Sequence, residues 1–175
     1  MANKALVYAI YPNEKQNIQC QKTFGCCRFV YNHMLSLQQD RYKNGEKHLN
    51  KKNANNYCNQ QFKEDYLFLK EVDKFALTNA IYHLEDGYNR FFKHLSKFPK
   101  FKSKHKAKKS YTTNFTNGNI EIAENFIKLP KLGTVKAVIH RKPEAGWKIK
   151  SATVTQNRDG SYQVSVLFAF EKIIP

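Results

Sequence analysis

One short β-prone segment stands alone at the start of the chain and restricts the possible folds more than any other feature. Residues 5–11 are apolar and β-prone, and Pro12 ends the run, so we predict a buried strand. A single strand is not stable alone, and its partners must come from later in the chain. The next segments of this kind begin only at Tyr111. The residues between are therefore predicted to be an insertion into a β domain.

The C-terminal part of the chain has the period-two pattern of strands. Asn117-Gly118 and Asp159-Gly160 are turn dipeptides that tolerate positive φ, and they predict at least two hairpins. We predict a β-barrel-like domain built from residues 1–12 and 110–175. Its later strands are expected at residues 111–115, 120–122, 126–129, 135–139, 149–155 and 162–170.

The intervening residues 13–97 have the pattern of an α-helical insert. Residues 13–44 have apolar side chains mostly three and four apart, as an amphipathic helix requires, although Gly25 could divide that helix. The polar stretch 46–61 predicts only a weak helix. Asp73 is placed to cap a strongly amphipathic helix that ends before Phe98-Pro99. The predicted fold class is α+β.

Strong positive charge accompanies this architecture. The 175 residues carry 30 Lys and Arg against 14 Asp and Glu, a formal charge of +16, and 13 Phe and 10 Tyr are present among them. Such a surface attracts polyanions, and aromatic rings beside cations suit nucleic acid. Residues 93–109 contain eight lysines and no acid. The basic connector 98–109 within them is open to two interpretations, a solvated disordered linker or a segment that orders on phosphates.

Several other classes of protein do not fit the sequence. No apolar run approaches the roughly 18 residues of a spanning helix, and the N-terminus lacks a signal peptide. We therefore expect a cytoplasmic protein without a membrane partner. Histidines and carboxylates form no ligand spacing or triad, so we expect no catalytic residue, metal or cofactor. Buried free thiols are expected at Cys20, Cys26, Cys27 and Cys58.

Three segments resemble the N-terminal part of the TnpB/OrfB family, transposon-encoded relatives of type V CRISPR effectors. They occur in the family's order. The first is KTFGCCRFVYN at 22–32, and the second is LKEVDKFAL at 69–77 leading to YNRFFK at 88–93. The third is FPKFK at 98–102, followed by FIKLPKLGTVK at 126–136.

This resemblance implies a wedge-type β-barrel with a helical recognition domain inserted after its first strand. It implies that both domains bind a guide RNA and its heteroduplex with target DNA, and that they read a target-adjacent motif on double-stranded DNA. Base pairing would read the sequence while the protein reads shape and motif. The family's RuvC nuclease domain begins just past residues 171–175, so we expect no cleavage by this chain unless a RuvC domain acts in cis or in trans.

The resemblance also assigns roles to individual residues. Phe75 could equally be a core residue, and Lys74 a solvated helix start; Thr78 stands where the family commonly has Gln. The motif-binding candidates are Lys74, Phe75, Thr78, Thr116, Asn117, Asn55 and Lys51. The candidates for contact with RNA phosphates are Arg28, Tyr31, Lys100, Lys102, Lys128, Lys131, Lys136, Arg141 and Lys142.

Two alternatives to this function remain open from the sequence. One is a stand-alone DNA- or RNA-binding regulator descended from the same ancestor, and the other is a generic basic RNA-binding protein of ribosomal type. Trp147 could stack on a base or belong to the core. We also expect an exposed apolar patch around Val164, Val166 and Phe168, where the missing domain would pack.

Overall fold

A computed structural model describes residues 1–172, so the last three residues of the predicted segment 110–175 lie outside the described part. The chain forms α-helices and one antiparallel sheet, which confirms the α+β class. It divides into two compact units. The β unit comprises residues 1–21 together with those from 108 onward, and the helical unit comprises residues 22–107.

The β unit is a seven-stranded antiparallel sheet with strand order β2-β6-β7-β1-β5-β4-β3. Every strand that the sequence pattern predicts is present, with ends shifted by at most a few residues. The strands are β1 Ala2–Tyr11, β2 Lys109–Asn114, β3 Glu121–Ile122, β4 Phe126–Leu129, β5 Gly133–Ala137, β6 Lys148–Gln156 and β7 Tyr162–Phe170.

Strand β1 lies in the middle of the sheet, between β7 and β5. Its register with β7 runs from Ala2 opposite Phe170 to Ile10 opposite Tyr162. The expectation of a buried strand is confirmed for one face of β1 only. Alternation places Leu6, Tyr8 and Ile10 toward the core and leaves the other face exposed, because successive side chains of a strand point to opposite faces.

The sheet is open within residues 1–172, so the predicted barrel is not shown. Its edge strands β2 and β3 are consecutive in sequence, and only seven steps of chain separate Asn114 from Glu121. Those steps span at most about 25 Å, whereas six strand spacings in a flat sheet amount to about 29 Å. The sheet must therefore curve.

The prediction of at least two hairpins is confirmed, because β3 with β4, β4 with β5 and β6 with β7 are consecutive antiparallel pairs. Only one of the two turn dipeptides lies in such a hairpin. The Asp159-Gly160 turn joins β6 to β7, which pair along their lengths. Asn117 and Gly118 do adopt positive φ, but the strands that they connect, β2 and β3, do not pair with each other. A turn dipeptide fixes local backbone direction, and pairing partners are chosen by long-range packing.

The sheet's core contradicts the expected apolar patch. Val164, Val166 and Phe168 are completely buried, and the side chains that alternate with them, such as Ser165, are the outward ones. The alternation of side chains along β7 defines two faces, but it does not show which face is buried. The more apolar face packs inside because it removes more hydrocarbon from water.

The helical unit contains four α-helices and two irregular turns. α1 begins in the β unit and passes through Gly25 without a break; a β-carbon there would meet only the Arg28 guanidinium at 4.0 Å. The possible break at Gly25 is therefore absent. The elements are α1 Glu14–Lys43, α2 Lys51–Tyr57, a π-helical turn Cys58–Phe62, α3 Lys63–Asp65, a 3₁₀ turn Leu67–Glu71 and α4 Lys74–Phe92.

Helix α4 begins where the sequence predicts. The Phe75 amide donates to Asp73 Oδ1 at 3.2 Å, so Asp73 is its N-cap. Its buried face includes Leu77, Ile81 and Leu84, which pack at helical spacing. Across the described residues all four cysteines are buried and free, in agreement with the sequence-based expectation.

Candidate nucleic-acid interface

Two of the predicted motif-binding residues meet on the helical unit. Asn55 lies on α2 and Thr78 on the first turns of α4, and the Thr78 hydroxyl donates to Asn55 Oδ1 at 3.0 Å. Because Oδ1 is the acceptor, the amide NH₂ of Asn55 is oriented away from Thr78. A side chain fixed in this way presents a donor in a defined direction, which base-edge recognition requires.

The two predicted motif-binding lysines of this unit have different surroundings. Lys51 Nζ lies 2.6 Å from Asp86 Oδ1 and 5.5 Å from the Tyr82 ring centroid, so its charge is already partly neutralised. Lys74 is exposed at the start of α4, with its Nζ 5.2 Å from the ring centroid of Phe75. Phe75 itself is half-buried, which leaves part of its ring accessible. Lys74 is therefore the better placed of the two for an external phosphate or base.

In the β unit, Thr116 and Asn117 are both exposed in the turn after β2. The turn is held from within by Asn119, whose Oδ1 accepts from the Thr116 amide at 2.8 Å and whose Nδ2 donates to the Asn114 carbonyl at 2.9 Å. Sequence reasoning missed Asn119. The sequence does contain a signal for this role, an Asn placed to close a four-residue turn. Asn side chains commonly hydrogen-bond to nearby backbone groups in such turns.

The basic connector is anchored by a residue that was also missed. Asn32 of α1 pairs with the backbone of Lys102 in both directions: Asn32 Nδ2 donates to the Lys102 carbonyl at 2.9 Å, and the Lys102 amide donates to Asn32 Oδ1 at 2.8 Å. The Lys102 ammonium then lies 4.2 Å from the Tyr31 ring centroid. Part of the connector is thus fixed to the helical unit, contrary to the interpretation of a wholly disordered linker.

Tyr31 and Lys102, both predicted to contact RNA, are consequently brought together. Tyr31 is only 7% exposed, and burial raises its pKa. Burial also lowers the pKa of Lys102, because desolvation disfavours an ammonium charge. The pKa of His83 is lowered by its own burial and by the charge of Lys102. Tyr31 can support the Lys102 ammonium, but its ring offers little surface to a ligand.

The other candidates for phosphate contact are mostly exposed. Arg28 on α1 is half-buried. The Arg141 guanidinium lies 5.9 Å from the Trp147 ring centroid, and Trp147 stacks on Phe170 with centroids 4.8 Å apart. Trp147 is half-buried by these contacts. The exposed candidates are Lys100, Lys128, Lys131, Lys136, Arg141 and Lys142.

A row of alternating aromatic and cationic side chains crosses the outer face of the sheet. Phe126 on β4 is opposite Lys136 on β5, and Lys136 is opposite Tyr11 on β1. All three are exposed, Phe126 by 42% and Tyr11 by 55%. Phe126 and Tyr11 were not among the predicted site residues. The period of two in each strand did mark them as outward, but the pairing that aligns them could not be read from the sequence.

The described residues contain no group of three or more His, Cys, Asp or Glu side chains that could hold a metal ion. In the same part of the chain no helix is long and apolar enough to cross a membrane.

Comparison with known proteins now adds a relationship. A family model described as a helix-turn-helix domain, HTH_OrfB_IS605, matches residues 1–47. A protein of Streptomyces pristinaespiralis is 27% identical over 94% of this chain, and InsQ of Escherichia coli K12 is 25% identical over 93%. Both carry the name RNA-guided DNA endonuclease as a provisional assignment. The predicted resemblance to the TnpB/OrfB family is confirmed.

The chain spans about two fifths of the length of these two relatives, 41% and 40%. A third relative is much shorter: the virulence protein VsdF of Salmonella dublin is 29% identical over 112 residues, which are 58% of this chain and 94% of VsdF. The helix-turn-helix match includes β1 and α1 of this chain.

Proposed function

We propose that the chain is the nucleic-acid-binding N-terminal part of a TnpB-like RNA-guided DNA endonuclease. The β unit would act as the wedge domain and the helical unit as the recognition domain. Together they would bind a guide RNA, its heteroduplex with DNA, and a motif on the target duplex. Cleavage would belong to a RuvC nuclease domain, in the part of the relatives that this chain does not span.

The observation that carries this proposal is the row formed by Phe126, Lys136 and Tyr11. Aromatic rings are platforms on which bases stack whatever their sequence, and a cation between two rings is placed to contact the phosphate that joins stacked bases. Lys128 projects to the same exposed side of β4. Guide RNA recognition by shape requires this kind of sequence-tolerant surface.

Reading of the DNA motif is assigned to the pair Asn55 and Thr78 with Lys74, and to Thr116 and Asn117 of the β unit. The fixed Asn55 amide would donate to an acceptor on a base edge, while Lys74 would bind a phosphate or a base acceptor. Thr78 stands in place of the Gln common in the family, so we expect a motif that differs from those of relatives.

The RNA half of the proposal is tested by binding of labelled RNA from immediately downstream of the reading frame, across a salt series. A scrambled RNA of equal length is the reference. We expect a preference for the downstream RNA that persists at physiological salt, because shape recognition adds to the electrostatic contribution. Equal affinities with equal, steep salt dependence would reduce the chain to a generic polyanion binder.

Lys136→Gln tests the sheet surface in the same assay. Loss of one phosphate contact should lower the slope of log affinity against log salt by about 0.7 for single-stranded RNA. Arg158→Gln, an exposed charge change in the turn between β6 and β7, is the matched control and should leave the slope unchanged. Equal slopes for the Lys136 variant and the wild-type chain would remove the row from the interface.

The DNA half is tested by selection from a randomised duplex library with the RNA-loaded chain. Thr78→Val keeps the side-chain shape and removes the hydroxyl donor, so Asn55 loses its orientation and the selected bases should change as they do for Asn55→Ala. Thr134→Val, an exposed substitution on β5, should select the wild-type motif. Identical motifs from all variants would rule out this pair as the reader.

A second candidate function is a stand-alone nucleic-acid-binding regulator. The VsdF match favours it, since a relative of that short length is covered almost completely. Motif-specific binding of DNA without any guide RNA would support the regulator and contradict the guide-dependent proposal.

A further inference from the structure

A cavity of about 700 Å³ opens on the helical unit between the C-terminal ends of α1 and α4. Its size is within the range of small-molecule sites, about 300–1,000 Å³. Aromatic side chains form about half of its wall, and five polar or charged side chains contribute to it: Gln38, Gln39, Lys43, Glu46 and His48. Its principal lining residues are Tyr88, Phe91, Phe92, Phe98, Gln38 and His48.

The polar side of the cavity is held in place by a buried network. Gln38 on α1 is 2% exposed; its Nε2 donates to the Leu49 carbonyl at 2.9 Å and to Glu85 Oε1 at 3.0 Å. The Leu49 amide donates back to Gln38 Oε1 at 3.0 Å. These bonds fix the segment before α2 against both long helices, so the cavity's shape does not depend on a loose loop.

His48 is oriented by the same network. Its Nε2 lies 2.7 Å from Oε2 of the buried Glu85. A carboxylate only accepts hydrogen bonds, so the proton of the ring is on Nε2. No hydrogen bond to Nδ1 of this ring is present among residues 1–172. His48 is thus held by Glu85 at the cavity wall, where its ring is one of the lining side chains.

The aromatic wall is incompletely packed. His48 contacts Tyr88 edge to face with centroids 4.5 Å apart, and Phe98 contacts both Tyr88 and Phe91 in the same way, at 5.4 and 5.2 Å. Yet Phe92 is 55% and Phe98 41% exposed. Exposed rings gathered at a concave site mark a binding surface, whereas scattered ones need no explanation.

The cavity lining is balanced in charge, with Lys43 and Glu46 on it, but the chain segments that supply the lining are basic and favour an anionic ligand nearby. The two chain segments that supply its lining, 38–48 and 88–98, carry six Lys and Arg against two acidic residues. Phe98 also belongs to the lysine-rich stretch 93–109, so a phosphate backbone bound along that stretch would pass the cavity mouth. An apolar peptide would gain nothing from this charge, and a nucleotide would gain from both the rings and the cations.

We propose that this cavity takes up one unstacked nucleobase of a single-stranded nucleic acid, held between the exposed Phe92 and Phe98 rings beside His48. The inference rests on the proposed function, since it assumes that single-stranded nucleic acid binds to the helical unit. It adds a site at which a base, rather than the backbone, is recognised by this unit.

The test compares an oligonucleotide of mixed sequence with an abasic oligonucleotide of the same length and charge, in RNA and DNA forms, bound to the full 175-residue chain. Phe92→Leu keeps an apolar side chain and removes the ring. We expect it to weaken binding of the base-containing strand about tenfold, the loss typical of one stacked base. Binding of the abasic strand should not change. Phe92→Tyr should restore the wild-type affinity.

A control variant and the pattern of failure make the result decisive. Leu95→Ala changes an exposed apolar residue just beyond α4 that does not line the cavity, and it should have no effect. Wild-type preference for bases that survives Phe92→Leu would overturn the cavity site and leave the proposed function intact. Failure of the wild-type chain to bind either strand would overturn both. If Phe92→Leu weakened binding of the base-containing and abasic strands equally, a base-specific contact would also be rejected. A larger effect of the base in the RNA strands or in the DNA strands would identify which nucleic acid supplies it.

Discussion

At the scale of single residues, the chain uses side-chain amides to fix backbone segments that have no secondary structure. Asn32 and Gln38, one on each side of Leu35 in α1, each bond to both the N–H and the C=O of another residue. An amide can do this because it carries a donor and an acceptor in one plane. Asn32 thereby fixes the lysine-rich connector, and Gln38 fixes the segment before α2.

Asn32→Ala is predicted to release the connector at Lys102. Two hydrogen bonds to half-buried backbone groups are lost, at a cost of about 1–3 kcal/mol. Hydrogen exchange of the Lys102 amide should accelerate by about tenfold or more, while amides in the middle of α4 keep their rates. Asn56→Ala, an exposed substitution on α2, is the matched control and should leave exchange at Lys102 unchanged. Unaltered protection of Lys102 in the Asn32 variant would contradict the anchor.

At the scale of elements, the first residues of α4 serve both the stability of the helix and the proposed reading of the motif. The capping residue Asp73 immediately precedes Lys74, one of the proposed motif-binding residues. Asp73 is 6% exposed, and its Oδ2 has no hydrogen-bond partner among the described residues.

Asp73→Ala should destabilise the helical unit by about 1 kcal/mol through the lost cap. Asp73→Ser keeps a capping oxygen and removes the buried second one, so it should recover most of that loss. Urea unfolding followed by circular dichroism at 222 nm measures both, and equal midpoints for the Ala and Ser variants would exclude a capping role.

Elements with strong local patterns could be predicted from the sequence. Strand β7 and helix α4 were found because apolar side chains recur at periods of two and 3.6, which local geometry imposes. The stretch 46–61 was read only as a weak helix, since its Asn-rich composition gives no periodicity from which α2 and the π-helical turn could be separated. Gly25 did not interrupt α1, because the buried neighbours Phe24 and Cys26 outweigh a penalty of about 1 kcal/mol for a helical glycine.

The candidate site was less predictable than the fold because its residues are assembled by contacts between distant parts of the chain. The alignment of Tyr11 with Lys136 depends on the pairing of β1 with β5, and the contact of Asn55 with Thr78 depends on the packing of α2 on α4. Neither has a local signature. The charge of the connector was visible in the sequence, whereas its attachment through Asn32 was not.

At the scale of the whole molecule, buried thiols make the two units differ in their response to alkaline pH. Burial raises the pKa of Cys27 to about 12 and that of Cys58 to about 11 in the helical unit, and that of Cys20 to about 12 in the β unit, from an ordinary value of 9.0. Between pH 9 and 11 the folded thiols keep protons that the unfolded chain has released. The free energy of unfolding therefore falls as pH rises through this window.

Each such thiol contributes a loss of about 1.4 kcal/mol per pH unit. Burial also raises the pKa of Cys26 in the helical unit, so that unit should lose stability at least twice as fast as the β unit. Lys102 opposes part of this loss of stability. Burial lowers its pKa, so the folded chain releases the Lys102 proton at a lower pH than the unfolded chain, and its contribution to stability grows as pH rises toward 10.5. Trp147, the single tryptophan, reports the β unit by fluorescence, and circular dichroism at 222 nm reports mainly helix. From pH 8 to pH 10.5 the urea midpoint should fall further by dichroism than by fluorescence, and Cys58→Ala should flatten only the dichroism series. Parallel shifts of the two signals would mean that the units unfold together and that their thiols do not separate them.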